Sequence, residues 1–281
     1  MGTFSFKLDE NKINTLKDTF KDYIKPNTNE YIDTFIQKDS LTISIYKTNK
    51  VVFQGDDAFF YAQSYLQTKK IRQAGSDEVG TGDVFGPVVV CSAIVEENDY
   101  EFIETNHITD SKQVNDVDIR KLGPILMDRF KHSLLILDNE KYNNIHKNEN
   151  LNQIKAKMHN QAYINLLNKG YDIPSACYVD QFCPVDKYYE YLKEEKRVYH
   201  DLIFEPKAES NHEAVAVASM IARYAFLIAM DSLSKKYNFN FHKGAGIEVD
   251  EDIKEFINKH KKEDLYKVSK VHFKNLEPYK L

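Results

Sequence analysis

Little in this sequence breaks or cross-links a chain: 281 residues contain only 7 prolines, 10 glycines and 3 cysteines. With 42% hydrophobic and 29% charged residues, that scarcity excludes disordered and fibrous classes and leaves a globular protein with a sizeable core. Cys91, Cys177 and Cys183 match no zinc-binding spacing, and one disulfide would strand the third, so buried free thiols are expected. No run of about 18 apolar residues occurs. The start MGTFSFKLDE also lacks the apolar stretch of a signal peptide, so a cytoplasmic protein with no membrane partner is expected. Phe6 stands at the Ser/Thr position of the myristoylation motif and excludes that anchor.

A net charge of −5 argues against a nucleic-acid binder until its distribution is counted. Residues 1–71 carry 10 Lys and no Arg against 9 acids, net +1; the remainder carries 28 basic and 34 acidic residues, net −6. The C-terminal stretch NKHKKEDLYKVSKVHFKNLEPYKL is locally basic through Lys259, Lys261, Lys262, Lys267, Lys270 and Lys274. Such a run is either a solvated face or a phosphate-contacting one.

The hydrophobic patterning divides the chain. TFSFKL alternates as a strand, and DENKINTLKDTFKDYI places Ile13, Leu16, Phe20 and Ile24 at helical spacing. EYIDTFIQKD, LTISIYKT and KVVFQG follow as short β-branched or aromatic strands, and Gly55-Asp56 opens the helical DDAFFYAQSYLQTK. This β-α-β-β-β-α order makes a small α+β domain over residues 1–66, near the lower size limit for independent folding, with a linker over 67–72. Beyond it, AGSDEV, PVVVCSAIV, SLLILD and SACYVDQF read as strands. NDVDIRKLGPILMDRFK, NQIKAKMHNQAYINLLNKG and a long central run over 210–236 read as helices. The fold class expected for 73–281 is therefore mixed α/β, a central mixed sheet flanked by helices.

One stretch, AGSDEVGTGDVFGPVVV, sets Asp77 and Glu78 side by side although neighbours on a strand point to opposite faces. Gly75 and Gly80 have the outer spacing of a P-loop, but Thr81 follows where Lys is required. Gly80, Gly82 and Gly86 are one residue too widely spaced for a dinucleotide fingerprint, and a strand follows where a helix should. What remains is a pair of acids at a strand end, which is how Mg²⁺ or Mn²⁺ is held and equally how a surface turn is built. Asp180 ends the apolar SACYVD stretch. Glu209 and Glu213 lie one turn apart at the start of the long helix beside Lys207 and His212, where the helix dipole alone accounts for acids.

These residues carry a resemblance. DEVGTGDVFGPVVVCSAIV is similar to the signature of the type 2 ribonucleases H, and its Gly-Thr-Gly step resembles ribonuclease HIII rather than ribonuclease HII, which has Gly-Arg-Gly there. ITDSKQ, YVDQF, KAESNHEAVAVASMIAR, HKGAG and VSKVHFKNLE resemble later family segments in order, spanning about residues 73–277. The resemblance implies a bacterial endonuclease that hydrolyses the RNA strand of RNA·DNA hybrids with two Mg²⁺ or Mn²⁺ ions, leaving 5′-phosphate and 3′-hydroxyl ends. It implies a ribonuclease H-like catalytic domain preceded by a TATA-binding-protein-like domain that grips the hybrid, with Phe4, Phe6, Tyr46 and Phe53 on its strands. Carried over residue by residue, the catalytic and metal-binding acids are Asp77, Glu78, Asp180 and Glu209, which leaves Glu213 as a capping acid and His212 at the helix terminus. Gly80, Thr81 and Gly82 become readers of the ribose 2′-hydroxyl, and Lys112 a phosphate contact. Asp83 is left as a turn residue. At Asp77 and Glu78 either the strand bulges or loses regular pairing, or only Asp77 faces the metals squarely and Glu78 reaches them around the edge. No obligate protein partner is implied, so a monomer is expected. The rivals are a ribonuclease HII-like enzyme that nicks at single embedded ribonucleotides, a non-catalytic hybrid-binding protein, and a Mg²⁺-dependent phosphatase.

Overall fold

The computed structural model describes residues 2–8, 10–63, 70–108 and 114–279, and the chain divides into two compact units, Met1–Lys70 and Ile71–Leu281.

In the first unit, β1 (Gly2–Lys7), α1 (Glu10–Thr19), β2 (Ile24–Lys25), β3 (Ile32–Lys38), β4 (Leu41–Tyr46), β5 (Lys50–Gly55) and α2 (Ala58–Gln63) follow in sequence. The strands form one antiparallel sheet in the order β1-β5-β4-β3-β2. Ile13, Leu16, Ala58 and Ala62 from the two helices close over Ile36, Ile43, Val51 and Phe53, so both helices lie on one face. Strand alternation sends Phe4 and Phe6 toward that core and exposes Thr3, Ser5 and Lys7. Tyr46 is half-buried at the end of β4. β2 is an element the periodicity did not announce, because two residues carry no period. Of the expected linker, residues 67–69 lie outside the described residues and 70–72 have no regular structure.

The second unit is built from β6 (Gln73–Val79), β7 (Val88–Val95), α3 (Tyr100–Thr105), α4 (Asp116–Arg129), β8 (Lys131–Leu137), α5 (Asn139–His146), α6 (Leu151–Asn168), β9 (Cys177–Asp180), α7 (Val185–Tyr191), β10 (Ile203–Glu205), α8 (Glu213–Tyr237), α9 (Ile247–Lys259) and α10 (Leu265–Val268). Its sheet runs β10-β9-β6-β7-β8, with β9 parallel to β10 and β6, and β7 antiparallel to β6 and β8. It is the mixed sheet expected from the alternation of elements. All of β7 is buried, which is why VVVCSAIV reads as one apolar run rather than an alternation.

The helix expected over 210–236 begins at Glu213, because residues 208–210 form a separate 3₁₀ turn. Among the described residues α8 alone is long and apolar enough to cross a membrane, but 72% of that stretch is buried inside the protein, as befits a core helix. It lies hard against β6: a Cβ on Gly75 would stand 2.4 Å from Val215 N, so only glycine admits this approach. All three cysteines are free; Cys91 and Cys177 are buried, while Cys183 is only half-buried.

Candidate active site

β6 is the middle strand, and its side chains alternate between two helices. Gln73, Gly75 and Asp77 meet α8 through Glu213, Val215 and Ser219 respectively. Ala74, Ser76 and Glu78 turn the other way, where Ser76 and Glu78 meet His159 of α6 and Ala74 joins a cluster with Tyr163 and Leu166. The adjacent acids therefore obey strand geometry and emerge on opposite faces. Pairing with β7 is regular through both, Asp77 opposite Cys91 and Glu78 opposite Val90, so of the alternatives left open the bulge is absent. Only the β9 side lets go: its ladder ends at Ser76, which frees the far end of β6 on that edge.

The two carboxyls are tuned in opposite directions. Burial pushes Asp77 up to about 7, and the charges of Glu78 and Asp180 add to that displacement against hydrogen bonds from Ser219 and the Glu78 amide. Burial also works against Glu78, but the hydrogen bond from His159 and the ammonium of Lys155 outweigh it and hold the carboxyl below its usual range. Lys155 pairs with Oε1 and His159 Nε2 lies 2.8 Å from Oε2. His159 Nδ1 in turn lies 2.8 Å from Ser76 Oγ, so a buried chain runs Ser76–His159–Glu78–Lys155. Phe182 caps it, with Lys155 Nζ 4.0 Å from the ring centroid. None of these partners was singled out from sequence. Lys155 and His159 are four residues apart and so share a helix face, but lysines and histidines at that spacing ordinarily mark a solvated face.

Asp180 ends β9 beside them. Its carboxyl is raised first by burial and further by the charges of Glu209 and Glu78, while the Ala208 amide donates to Oδ1 at 3.0 Å. That bond ties Asp180 to the 3₁₀ turn Ala208–Ser210, which the left-handed Lys207 (φ +59°) introduces and which carries buried Glu209. Asp77, Glu78, Asp180 and Glu209 thus form one electrostatically coupled group. Glu213 stands apart, accepting from Gln73 Nε2 at 2.7 Å inside the core rather than capping its helix. His212 is no solvated terminus either: it stacks on Tyr178 with centroids 3.5 Å apart and bonds Glu205.

Beyond β6, Gly80 has φ +91°, and a Cβ there would strike Pro87 O at 2.2 Å. Thr81 is half-buried and Gly82 is exposed, with open space where a Cβ would sit. Asp83 does more than turn the chain; its Oδ1 accepts from Gly244 N at 2.6 Å and fastens the HKGAG segment to the glycine loop. Lys112 lies outside the described residues.

The donor set fits a hard divalent ion. It is all oxygen, and Asp77 and Asp180 are displaced upward, first by burial and further by the charges of the neighbouring acids. Among the described residues no three His, Cys, Asp or Glu side chains stand together so as to hold a metal ion.

Residues 74–276 match the family Ribonuclease HII, and residues 3–77 match a domain of unknown function, DUF3378. A ribonuclease HIII of Streptococcus mutans is 36% identical with 98% of this chain and 96% of its own length covered; one of Phytoplasma mali is 37% identical with 98% of each covered. The chain belongs to the ribonuclease HIII family. The crystal structure of Bst ribonuclease HIII in complex with Mn²⁺ superposes with a TM-score of 0.75 at 31% identity, covering 98% of this chain and 97% of that one. The ribonuclease HIII of Aquifex aeolicus, at 24% identity and a TM-score of 0.57, shares the fold.

Proposed function

We infer that this ribonuclease HIII is a metal-dependent endonuclease that hydrolyses the RNA strand of RNA·DNA hybrids. The observation that carries the reading is the coupled group of four acids, delivered by adjacent strands β6 and β9 and by the 3₁₀ turn before α8. Asp77, Glu78, Asp180 and Glu209 would hold two Mg²⁺ or Mn²⁺ ions. A bound divalent ion supplies the positive charge that an attacking water and a departing 3′-oxygen both require. In this reading Asp77, which no ion pair engages among the described residues, is the acid that a metal most relieves, and Glu78 arrives already ionised and fixed by Lys155 and His159. Cleavage leaves 5′-phosphate and 3′-hydroxyl ends.

Gly80, Thr81 and Gly82 form the rim that reads the ribose. Exposed Gly82 lets backbone approach a sugar edge, and the 2′-hydroxyl is what distinguishes RNA there. Lys112 contacts a phosphate in the same reading. The first unit grips the hybrid through the sheet face opposite its helices, where Lys7 pairs with Lys50 and Thr3 with Gln54. Phe4, Phe6 and Phe53 serve its core instead. A monomeric, cytoplasmic enzyme completes the proposal.

The test is cleavage of a continuous hybrid, an RNA duplex and a DNA duplex with one embedded ribonucleotide, each with Mg²⁺ and with Mn²⁺. Preferential cutting of the hybrid is expected, and Lys7→Glu with Lys50→Glu should raise KM while sparing kcat. Nicking of the single-ribonucleotide duplex alone would move the enzyme to the ribonuclease HII-like reading. Binding without cleavage under either metal would leave a hybrid-binding protein.

A further inference from the structure

Lys270 belongs to the basic C-terminal run, yet it is fully buried. An ammonium out of water is costly unless acceptors replace the solvent. Here the acceptors are two backbone carbonyls of the glycine loop: Nζ donates to Asp83 O at 2.7 Å and to Gly86 O at 2.5 Å. The loop turns sharply at Gly80 and again at Gly86 (φ +82°), which aims those carbonyls into the protein, away from water. Asn139 Nδ2 also donates to Gly86 O, at 2.7 Å.

The backbone is stitched at the same place. Lys270 N donates to Val84 O at 2.8 Å, Gly86 N to Val268 O at 3.0 Å, and Val84 N to Gly244 O at 2.9 Å. The inner side of residues 83–86 is thus held throughout by the segment that follows α10, by α5 and by the HKGAG segment, while Gly82 on the outer side is exposed and clear of neighbours. Burial pushes the Lys270 ammonium down to about 7. The neutral amine still keeps two N–H bonds, so either protonation state can satisfy both carbonyls.

We propose that Lys270 is a positioning residue for substrate selection: from behind the glycine loop it fixes the height of the Gly80–Gly82 rim over the acids, and so sets how strictly the ribose is read. The proposal rests on the reading of that rim as the ribose contact. A flexible loop would still admit the hybrid, but it would discriminate less between a ribose-bearing strand and its deoxy counterpart.

The test uses the full-length enzyme with Lys270→Met and Gly82→Ala, the latter adding a methyl only on the open side. Each is assayed for kcat and KM on a continuous hybrid and on a duplex with one ribonucleotide, and for competition by an all-DNA duplex. Lys270→Met is expected to raise KM for the hybrid about tenfold and to bring the inhibition constant of the DNA duplex toward it, with Mn²⁺ binding to the free enzyme unchanged. Wild-type selectivity in Lys270→Met, together with altered selectivity in Gly82→Ala, would overturn the latch and leave the rim intact. Wild-type selectivity in both would overturn the reading of the rim itself. Should Lys270→Met not fold, Asn139→Ala, which removes the other side-chain donor to Gly86 O, must show the same loss of selectivity in smaller measure. Unchanged selectivity there also overturns the proposal.

Discussion

The two faces of β6 solve the same problem in opposite ways. On the α8 face the packing is tight, Gly75 meets the helix backbone, and Asp77 sets the Ser219 hydroxyl and the Glu78 amide against burial and the charges of Glu78 and Asp180. On the α6 face Glu78 is as deeply placed but brings a lysine and a histidine with it. One carboxyl therefore lies near 7 and the other below its usual range. A coupled acidic group needs positive charge: protein side chains supply it to Glu78, and in the proposed reading an external divalent ion supplies it to Asp77.

The most damaging way to break this contrast is Asp77→Asn. Hybrid cleavage should fall on the order of 10³-fold or more, since the acid most in need of the ion is lost. Stability should move the other way. A carboxyl raised from 3.8 to about 7 on folding favours the native state fully below about pH 4, and that contribution is lost as pH rises through about 7. The loss amounts to at most about 4 kcal/mol. Without divalent ions, Asp77→Asn should therefore melt above the parent enzyme at pH 8, and the gap should narrow as pH falls below 7 and close only near pH 4. A variant that melts below the parent at pH 8 would show that Asp77 is not short of positive charge.

A smaller effect is expected on the opposite face. Lys155→Met removes the cation beside Glu78 without touching any of the four acids. Partners that orient a metal-binding group typically matter about 10- to 100-fold, so kcat at saturating metal should drop by that much while KM for the hybrid holds. Lys155→Arg should restore part of it. An unchanged kcat would make the Ser76–His159–Glu78–Lys155 chain a device of stability alone.

The asymmetry of the two faces explains what could be read beforehand. Alternation alone assigns Asp77 and Glu78 to opposite faces, and CYVD shows its acid at a strand end because apolar residues precede it. The regular ladder with β7 could not be read, since a bulge and an in-register strand share one sequence pattern. Nor could β10, three residues long, or the burial of Lys155 and Lys270, which depends on which sheet or loop lies over them. In a single sequence a lysine that holds a carbonyl or a carboxylate in the core looks like one that faces water.

The mildest test of the comparison is Gly75→Ala, which adds one methyl to the tight face and no charge. The new Cβ would meet Val215 N at 2.4 Å and Val215 Cγ2 at 2.7 Å, so strand and helix must part. Because the first obstacle is backbone rather than the end of a flexible side chain, the strain cannot be relieved by a rotamer change. Overpacking of this kind costs about 1–3 kcal/mol, read as a lower urea midpoint with an unchanged slope. Ser219 and Asp77 lie farther along the same two elements, so their hydrogen bond should lengthen and cleavage should weaken with stability, while the α6 face is untouched. A Gly75→Ala enzyme with the parent's midpoint would mean that β6 and α8 yield freely, and that the isolation of Asp77 owes nothing to how closely they pack.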